Sequence, residues 1–181
     1  MMSSRYLEDF APGQRFGGAA RIRIESERIK SFAAEFDPQP FHLDEQAADR
    51  SIFGGLAASG WHTAAASMRL LVLSDLQPAG GLVGAGFDEF RWPRPVRPGD
   101  ELRVESEVLE VRPSKSRPEQ GMLKLRTTTL NQRDFLTTVH SLDPECRFGM
   151  QLTHAANRSR GIQKTRSVRR IRRVHGSLNL A

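Results

Sequence analysis

The feature that most restricts the fold of this chain is a stretch of eighteen residues without a charged side chain, from Ser51 to Met68. Because 27% of the whole chain is charged, so long an interruption predicts burial. Good helix formers without Gly or Pro continue from Ala64 to Leu76, so we predict a helix of about five turns that stops near Gln77-Pro78. Glycines, Ser59, His62 and many alanines favour a core helix over a membrane span.

Length and composition limit how the chain can be organised. At 181 residues with 38% hydrophobic content, it fits one domain with a surplus segment rather than two full domains. A single cysteine, Cys146, excludes an internal disulfide framework, and the N-terminus lacks a basic segment leading into an apolar signal stretch. We therefore expect a cytoplasmic protein with no membrane partner.

The net charge of +6 is distributed unevenly along the chain. From Pro144 to Ala181, nine Lys and Arg residues stand against one acidic residue, Glu145, for a net +8, which leaves a net −2 on residues 1–143. Most of this tail is too poor in apolar residues to form its own core, so we expect disorder or a marginal helix. The predicted division is a folded domain over residues 1–143 and a basic tail over residues 144–181. A nucleic-acid partner is not expected, except through this tail.

Helical and alternating patterns flank the uncharged stretch. Apolar residues from Ile29 to Phe36 recur at i, i+3, i+4 and i+7, which predicts an amphipathic helix over Ser26–Phe36. Strands are predicted at Arg21–Ile24, at Leu82–Trp92, at Asp100–Val111 with a β-bulge near Val108, at Met122–Asn131 and at Phe135–Leu142. Consecutive strands of this kind favour an antiparallel meander packed around the buried helix.

A stiff loop, Asp37-Pro-Gln-Pro-Phe-His42, follows the amphipathic helix. Pro38 and Pro40 fix two φ angles and push the residues before them towards extended geometry. Asp37 and His42 are near enough for the turn to bring a carboxylate and an imidazole onto one water molecule, an arrangement suited to general acid–base chemistry. On these residues alone, an ordinary turn with a structural His remains open as an alternative.

The loop and the start of the buried helix together resemble the MaoC-like dehydratases, the (R)-specific enoyl-CoA hydratases of the hotdog fold. The family pattern Asp-x-Asn-Pro-x-His-x-Asp appears here as Asp37-Pro-Gln-Pro-Phe-His-Leu-Asp44. It is followed in order by Phe53-Gly-Gly-Leu-Ala-Ala-Ser-Gly60 and Trp61-His-Thr63. The resemblance covers roughly Tyr6 to Asn131.

The resemblance implies an α+β fold: a single hotdog domain in which an antiparallel sheet wraps around a long central helix, followed by the basic tail. It implies a hydratase or dehydratase that acts on acyl thioesters of CoA or of an acyl carrier protein. Two such units usually join their sheets edge to edge, so a homodimer is expected. Neither a metal nor a cofactor other than the thioester substrate is expected.

The resemblance also implies where the chemistry takes place. Asp37 and His42 would hold and deprotonate the water that adds to the β carbon of a trans-2-enoyl thioester. The backbone N–H of Gly60, at the N-terminus of the central helix, would stabilise the developing enolate-like charge. The candidate substrate-binding residues are Ser59, Ala64, Met68 and Leu71. Core packing remains an equal alternative for the last three.

The chain departs from the family pattern at two positions, and two side chains near the start of the central helix need a role. Gln39 replaces the usual Asn and is one methylene longer, so it could loosen the loop, and Ser59 stands where many members have His. A helix cap is the favoured role for Ser59, and a satisfied core imidazole for His62.

Two other activities of hotdog proteins remain as alternatives. A thioesterase usually carries its carboxylate on or beside the central helix, whereas here it belongs to a separate loop with a His. A non-catalytic acyl-binding subunit would lack the water-activating pair, whereas both Asp37 and His42 are present.

Overall fold

A long two-stranded hairpin forms the middle of the sheet in the computed structural model, which describes residues 4–84, 86–117, 119–141 and 150–153. After a 3-10 turn at Leu7–Asp9, the elements are β1 (Arg15–Phe16), β2 (Ile22–Arg23), α1 (Ser26–Phe36), α2 (Pro40–Leu43), α3 (Glu45–Asp49), α4 (Gly60–Val72), β3 (Glu89–Arg91), β4 (Glu101–Pro113), β5 (Gln120–Leu130), β6 (Leu136–Ser141) and β7 (Met150–Thr153). Among the described residues the strands pair in the order β1-β4-β5-β6-β3, with β2 also paired to β4 and β7 to β5, all antiparallel. The predicted α+β class is confirmed.

Alternation along the hairpin selects the face that is buried. In β4, Leu102, Val104 and Val108 are buried and alternate with charged side chains, and β5 buries Leu123 and Leu125 in the same way. A shift of one residue would expose this apolar set, so the pattern itself fixes the register of the pairing. The register shifts immediately after Val108, which confirms the β-bulge predicted there.

The central helix α4 ends earlier than predicted. It stops at Val72 after thirteen residues rather than continuing to Gln77-Pro78. Ser74 Oγ donates to a carbonyl of the last helical turn at 2.7 Å, and Asp75 exchanges two hydrogen bonds with Gly17. The local bond of Ser74 and the two tertiary bonds of Asp75 together override the helix-forming composition of residues 73–76.

One face of α4 is buried against the sheet. Leu70 belongs to an apolar cluster that includes Ile29 of α1 and Leu102 of β4. The hydroxyls of Ser67 and Thr129 form a buried hydrogen bond of 2.7 Å between the helix and β5. Apolar packing and a satisfied polar contact therefore fix the helix on the sheet together.

The uncharged stretch is not buried throughout, contrary to the prediction. Trp61 is 59% exposed and Ile52 is 96% exposed. The prediction fails because α4 turns only part of its circumference to the core, and because Ile52 lies in the turn between α3 and α4. Absence of charge identified the segment that enters the core, but not which of its side chains point inward.

Other elements agree with the sequence to different degrees. Helix α1 has the predicted limits. Among the described residues of the predicted strand Leu82–Trp92, Glu89–Arg91 alone pair with another strand, and they follow a segment rich in glycine. Four residues of the predicted tail, Met150–Thr153, pair with β5. The rest of that tail lies outside the described residues, so its disorder and the domain boundary stay predictions. Within the described residues, no helix is both long and apolar enough to cross a membrane.

Replacing Leu70 with Ala should lower the free energy of unfolding by about 2–5 kcal/mol, because truncating a buried leucine leaves a cavity. The matched control is Leu73→Ala at the end of the same helix, where the side chain is 54% exposed. That control should change stability by no more than about 0.5 kcal/mol. Urea denaturation at one protein concentration measures both. Equal losses would contradict the described docking of α4.

Candidate functional site

The loop after α1 holds Asp37 in a defined position. The Asp37 N–H donates to Ala33 O at 2.9 Å, the last bond of the helix, and Pro38 then prevents the helix from continuing. Pro40 occupies the first position of α2, where its missing N–H leaves no helical hydrogen bond unmade. His42 lies on this four-residue helix and faces back towards Asp37.

Asp37 and His42 form a carboxylate–imidazole pair, as predicted from their spacing. Asp37 Oδ2 lies 3.5 Å from His42 Nε2. The other ring nitrogen, Nδ1, is 2.7 Å from Ala57 O, and because a carbonyl oxygen can only accept, Nδ1 carries a proton. This bond orients the buried ring and leaves Nε2 facing the carboxylate.

Two side chains donate hydrogen bonds to the Asp37 carboxylate. Ser59 Oγ donates to Oδ2 at 2.6 Å, and Gln39 Nε2 donates to Oδ1 at 2.7 Å. The Ser59 hydroxyl is the main reason that the pKa of Asp37 lies below its usual value; burial opposes it, and Gln39 and His42 add to the lowering. The longer Gln39 side chain therefore holds the loop by reaching the carboxylate.

Ser59 joins the loop to the central helix. It is the N-cap of α4, as favoured from the sequence, and its Oγ accepts from the Trp61 N–H at 3.2 Å while donating to Asp37. Its side chain is fully buried. A single hydroxyl thus caps the helix and fixes the catalytic candidate, while a direct role in substrate binding stays a prediction.

Gly60 is the first residue of α4, where the helix offers its N–H no acceptor. A Cβ at this position would lie 2.8 Å from the Trp92 ring, so the close packing of that ring requires glycine. Trp92 Nε1 also donates to Gly60 O at 3.0 Å. No local pattern indicated this role of Trp92, which lies in a distant segment of the chain.

The predicted acyl-pocket residues do not share one environment. Leu71 is 2% exposed and belongs to an apolar core cluster with Leu76 and Val108. Ala64 is half-buried, and Met68 is exposed on the side of α4 that also carries Trp61. A role in acyl binding stays a prediction for these three residues.

His62 is not the satisfied core imidazole favoured from the sequence. Its ring is stacked on Phe32 of α1 at 4.8 Å between centroids, and its buried Nδ1 has no hydrogen-bond partner among the described residues. Burial lowers the pKa of His62, and the nearby Arg28 lowers it further, which favours a neutral ring. His62 lines a cavity of about 670 Å³ between α1 and α4.

The loop before α4 is held by hydrogen bonds from Arg97, a residue between β3 and β4. Arg97 donates to the carbonyl oxygens of Phe53, Gly55 and Leu56, the last at 3.1 Å. Gly55 has a φ of 140°, a conformation open to glycine alone at little cost. This fixed loop leads directly to Ala57, whose carbonyl orients His42.

Known proteins share this arrangement of elements. A family model described as "MaoC like domain" matches residues 9–129. The chain is 34% identical over 128 residues to the uncharacterized protein YdeM of Bacillus subtilis, which covers 71% of this chain and 89% of YdeM. It is 53% identical to a MaoC-like dehydratase from Rhodospirillum rubrum, with a TM-score of 0.76 over 83% of this chain and 98% of that structure. An (R)-hydratase from A. caviae involved in PHA biosynthesis is 26% identical, with a TM-score of 0.56 over 75% of this chain and 96% of its own.

The pKa of Asp37, followed by the NMR shift of its carboxyl carbon, should lie below the usual value of an aspartate and rise in Ser59→Ala. Because the folded pKa is the lower one, the stability that this carboxylate contributes is present above its unfolded pKa and lost as pH falls through its folded pKa. Ser67→Ala is the matched control, since it removes a buried hydroxyl from the same helix without contact to Asp37. An unchanged Asp37 pKa in Ser59→Ala would contradict the described hydrogen bond.

Proposed function

The chain belongs to the family of MaoC-like dehydratases with the hotdog fold, and from that premise we propose that it adds water reversibly across the trans-2 double bond of an enoyl thioester. The observation that carries this proposal is the pair of Asp37 Oδ2 and His42 Nε2, 3.5 Å apart beside the N-terminus of α4. This addition requires two elements: an acid–base pair of side chains that deprotonates water, and a hydrogen-bond donor that stabilises the oxyanion.

The proposed mechanism uses only groups of the chain. The thioester carbonyl lies at the Gly60 N–H, where the helix dipole also favours negative charge. Asp37 and His42 accept a proton from water as its oxygen bonds to the β carbon, and the π electrons move towards the thioester oxygen. A proton from the same pair then reaches the α carbon. Water is thereby added in full, and the reverse sequence is dehydration.

The two parts of the site contribute comparable factors. An oxyanion donor is worth about a hundred- to a thousandfold in rate. Acid–base catalysis is worth about a hundred- to ten-thousandfold. Because neither suffices alone, the position of Asp37 relative to Gly60 matters as much as either group, and Ser59 sets that position.

The proposal extends to the setting of the reaction. Coenzyme A or an acyl carrier protein would supply the thiol, and no further cofactor is needed for proton transfer and charge stabilisation. The single cysteine supports a cytoplasmic location.

An assay of trans-2-enoyl-CoA thioesters over a series of chain lengths tests the proposal. Hydration removes the absorbance of the conjugated enoyl thioester without releasing free thiol. A thioesterase would release free thiol instead, and a non-catalytic binding subunit would change neither signal. Either of these results would contradict the proposed function.

Asp37→Asn and His42→Ala should each reduce hydration to less than about a tenth of the wild-type rate, because each removes one member of the acid–base pair. Asp44→Asn is the matched control. It makes the same change on the same loop, but Asn can still accept the Ala47 N–H that Asp44 caps at 2.7 Å. Circular dichroism checks the folding of each variant. If either dyad variant keeps most of the activity, that residue is not part of the pair.

We propose that the protein acts as a homodimer joined at β3 and at the adjacent side of α4. In the described part of the chain, β3 pairs with a strand on one side only. Beside that edge, an exposed apolar stripe on α4 is formed by Trp61, Met68 and Val72. The rings of Trp61 and Trp92 pack with their centroids 5.8 Å apart. Joining two such edges would pair the strand and cover the stripe.

Val72→Arg should convert the dimer to monomer, because it places a charge within the proposed interface. Leu73→Arg is the matched control, since its side chain is as exposed as that of Val72 but lines the cavity between α1 and α4. Sedimentation velocity over a range of concentrations distinguishes the two states. A dimer unaffected by Val72→Arg, or a monomeric wild-type protein with full activity, would contradict this interface.

A further inference from the structure

The lining of the cavity between α1, α4 and β2 carries an excess of positive charge. Four arginines line it, against one acidic residue, and its remaining lining is mainly apolar. The arginines are Arg21, Arg23, Arg28 and Arg69, and the acidic residue is Glu35. A pocket for a plain hydrocarbon chain needs no such excess of positive charge, because each guanidinium beside it favours an anion.

Two of the four arginines are already occupied within the protein. Arg23 forms ion pairs with two glutamates, at 2.9 and 3.7 Å, and Arg21 donates to two backbone carbonyls. The guanidinium groups of Arg28 and Arg69 have neither an ion pair nor a hydrogen bond within the described residues. These two lie on facing helices, so an anion between them could bind both.

A second observation at the same cavity is His62. Its ring lines the cavity and is 92% buried, yet Nδ1 has no hydrogen-bond partner among the described residues. A buried polar atom without a hydrogen-bond partner lowers the stability of the folded state. A polar ligand group that reached this ring would remove that cost.

The position of the cavity relates it to the reacting atoms. His62 follows Gly60 by two residues, whereas Arg69 lies about 13 Å farther along the helix axis than Gly60. Helical side chains lean towards the N-terminus, so the Arg69 guanidinium can approach closer than its Cα. Phe36, which also lines the cavity, directly precedes Asp37, so a short acyl chain with its thioester at Gly60 can reach His62, Arg28 and Arg69. The pantetheine arm places the phosphates of coenzyme A much farther from the thioester.

We propose that the preferred substrate is an enoyl thioester whose acyl chain ends in a second carboxylate, which Arg28 and Arg69 bind in this cavity beside His62. This inference rests on the proposed hydratase function and specifies its substrate class. Guanidinium groups suit the task because they stay charged and can donate two parallel hydrogen bonds to one carboxylate. The neutral His62 ring can donate or accept a further hydrogen bond without adding charge.

Binding of saturated thioesters tests the substrate class independently of catalysis. Calorimetry with the full chain would compare glutaryl-, adipyl- and suberyl-CoA with pentanoyl-, hexanoyl- and octanoyl-CoA. At one chain length at least, the terminal carboxylate should tighten binding by about ten- to a hundredfold, the worth of hydrogen bonds to a charged group. Equal or weaker binding of every dicarboxylic thioester would overturn the inference, even if the protein hydrates neutral substrates.

The variants Arg28→Gln and Arg69→Gln identify the groups responsible. Each should reduce the ratio of dicarboxylic to neutral affinity towards one, and the same ratio of kcat/KM for the matching 2-enoyl thioesters should fall with it. Arg50→Gln, at an exposed arginine outside the cavity, should leave both ratios unchanged. If the variants weaken dicarboxylic and neutral thioesters equally, the arginines bind the coenzyme phosphates and the inference is wrong. If dicarboxylic thioesters bind preferentially but none is hydrated, the proposed function fails while the binding site stands.

Discussion

The hydrogen bond from Ser59 Oγ to Asp37 Oδ2, 2.6 Å long, connects the two parts of the molecule that the proposed chemistry needs. One part is the loop with the acid–base pair, and the other is the N-terminus of the central helix. Because the same oxygen accepts the Trp61 N–H, the Ser59 hydroxyl also caps that helix. The charge of the carboxylate near a helix N-terminus is itself favourable, so helix stability and the ionisation of Asp37 support each other.

The rest of the fold holds these two parts at a fixed distance. The Ser67–Thr129 hydrogen bond and the apolar cluster around Leu70 fix α4 on the sheet. Arg97 holds the loop that delivers the Ala57 carbonyl to His42. Asp37 is thus oriented by Ser59 and His42 by Ala57, two residues of the segment that leads into α4. Such preorganisation is what makes electrostatic stabilisation effective, since little rearrangement is needed during reaction.

Residue spacing and alternation predicted those elements whose determining residues all lie within one short segment. The spacing from Ile29 to Phe36 gave both limits of α1, and alternation along β4 gave the bulge near Val108. The prolines around Gln39 indicated the end of α1 and the pairing of Asp37 with His42, although Pro40–Leu43 form the short helix α2 where a loop was predicted. These features depend on neighbouring residues, which a single sequence displays in full.

Features that depend on distant partners could not be predicted in this way. The end of α4 is decided by hydrogen bonds between Asp75 and Gly17. The need for glycine at position 60 comes from Trp92, thirty-two residues later, and not from a local turn. Nδ1 of His62 has no hydrogen-bond partner within the described residues, and this could not be predicted either, because it depends on how the ring stacks on Phe32 of a separate helix.

A crystal structure with a bound 3-hydroxyacyl thioester would show whether one loop and one helix end act together on the thioester. The 3-hydroxyl oxygen should lie within hydrogen-bond distance of both Asp37 and His42, and the thioester oxygen at the Gly60 N–H. A hydroxyl that contacts neither side chain, or a thioester bound away from the N-terminus of α4, would contradict it.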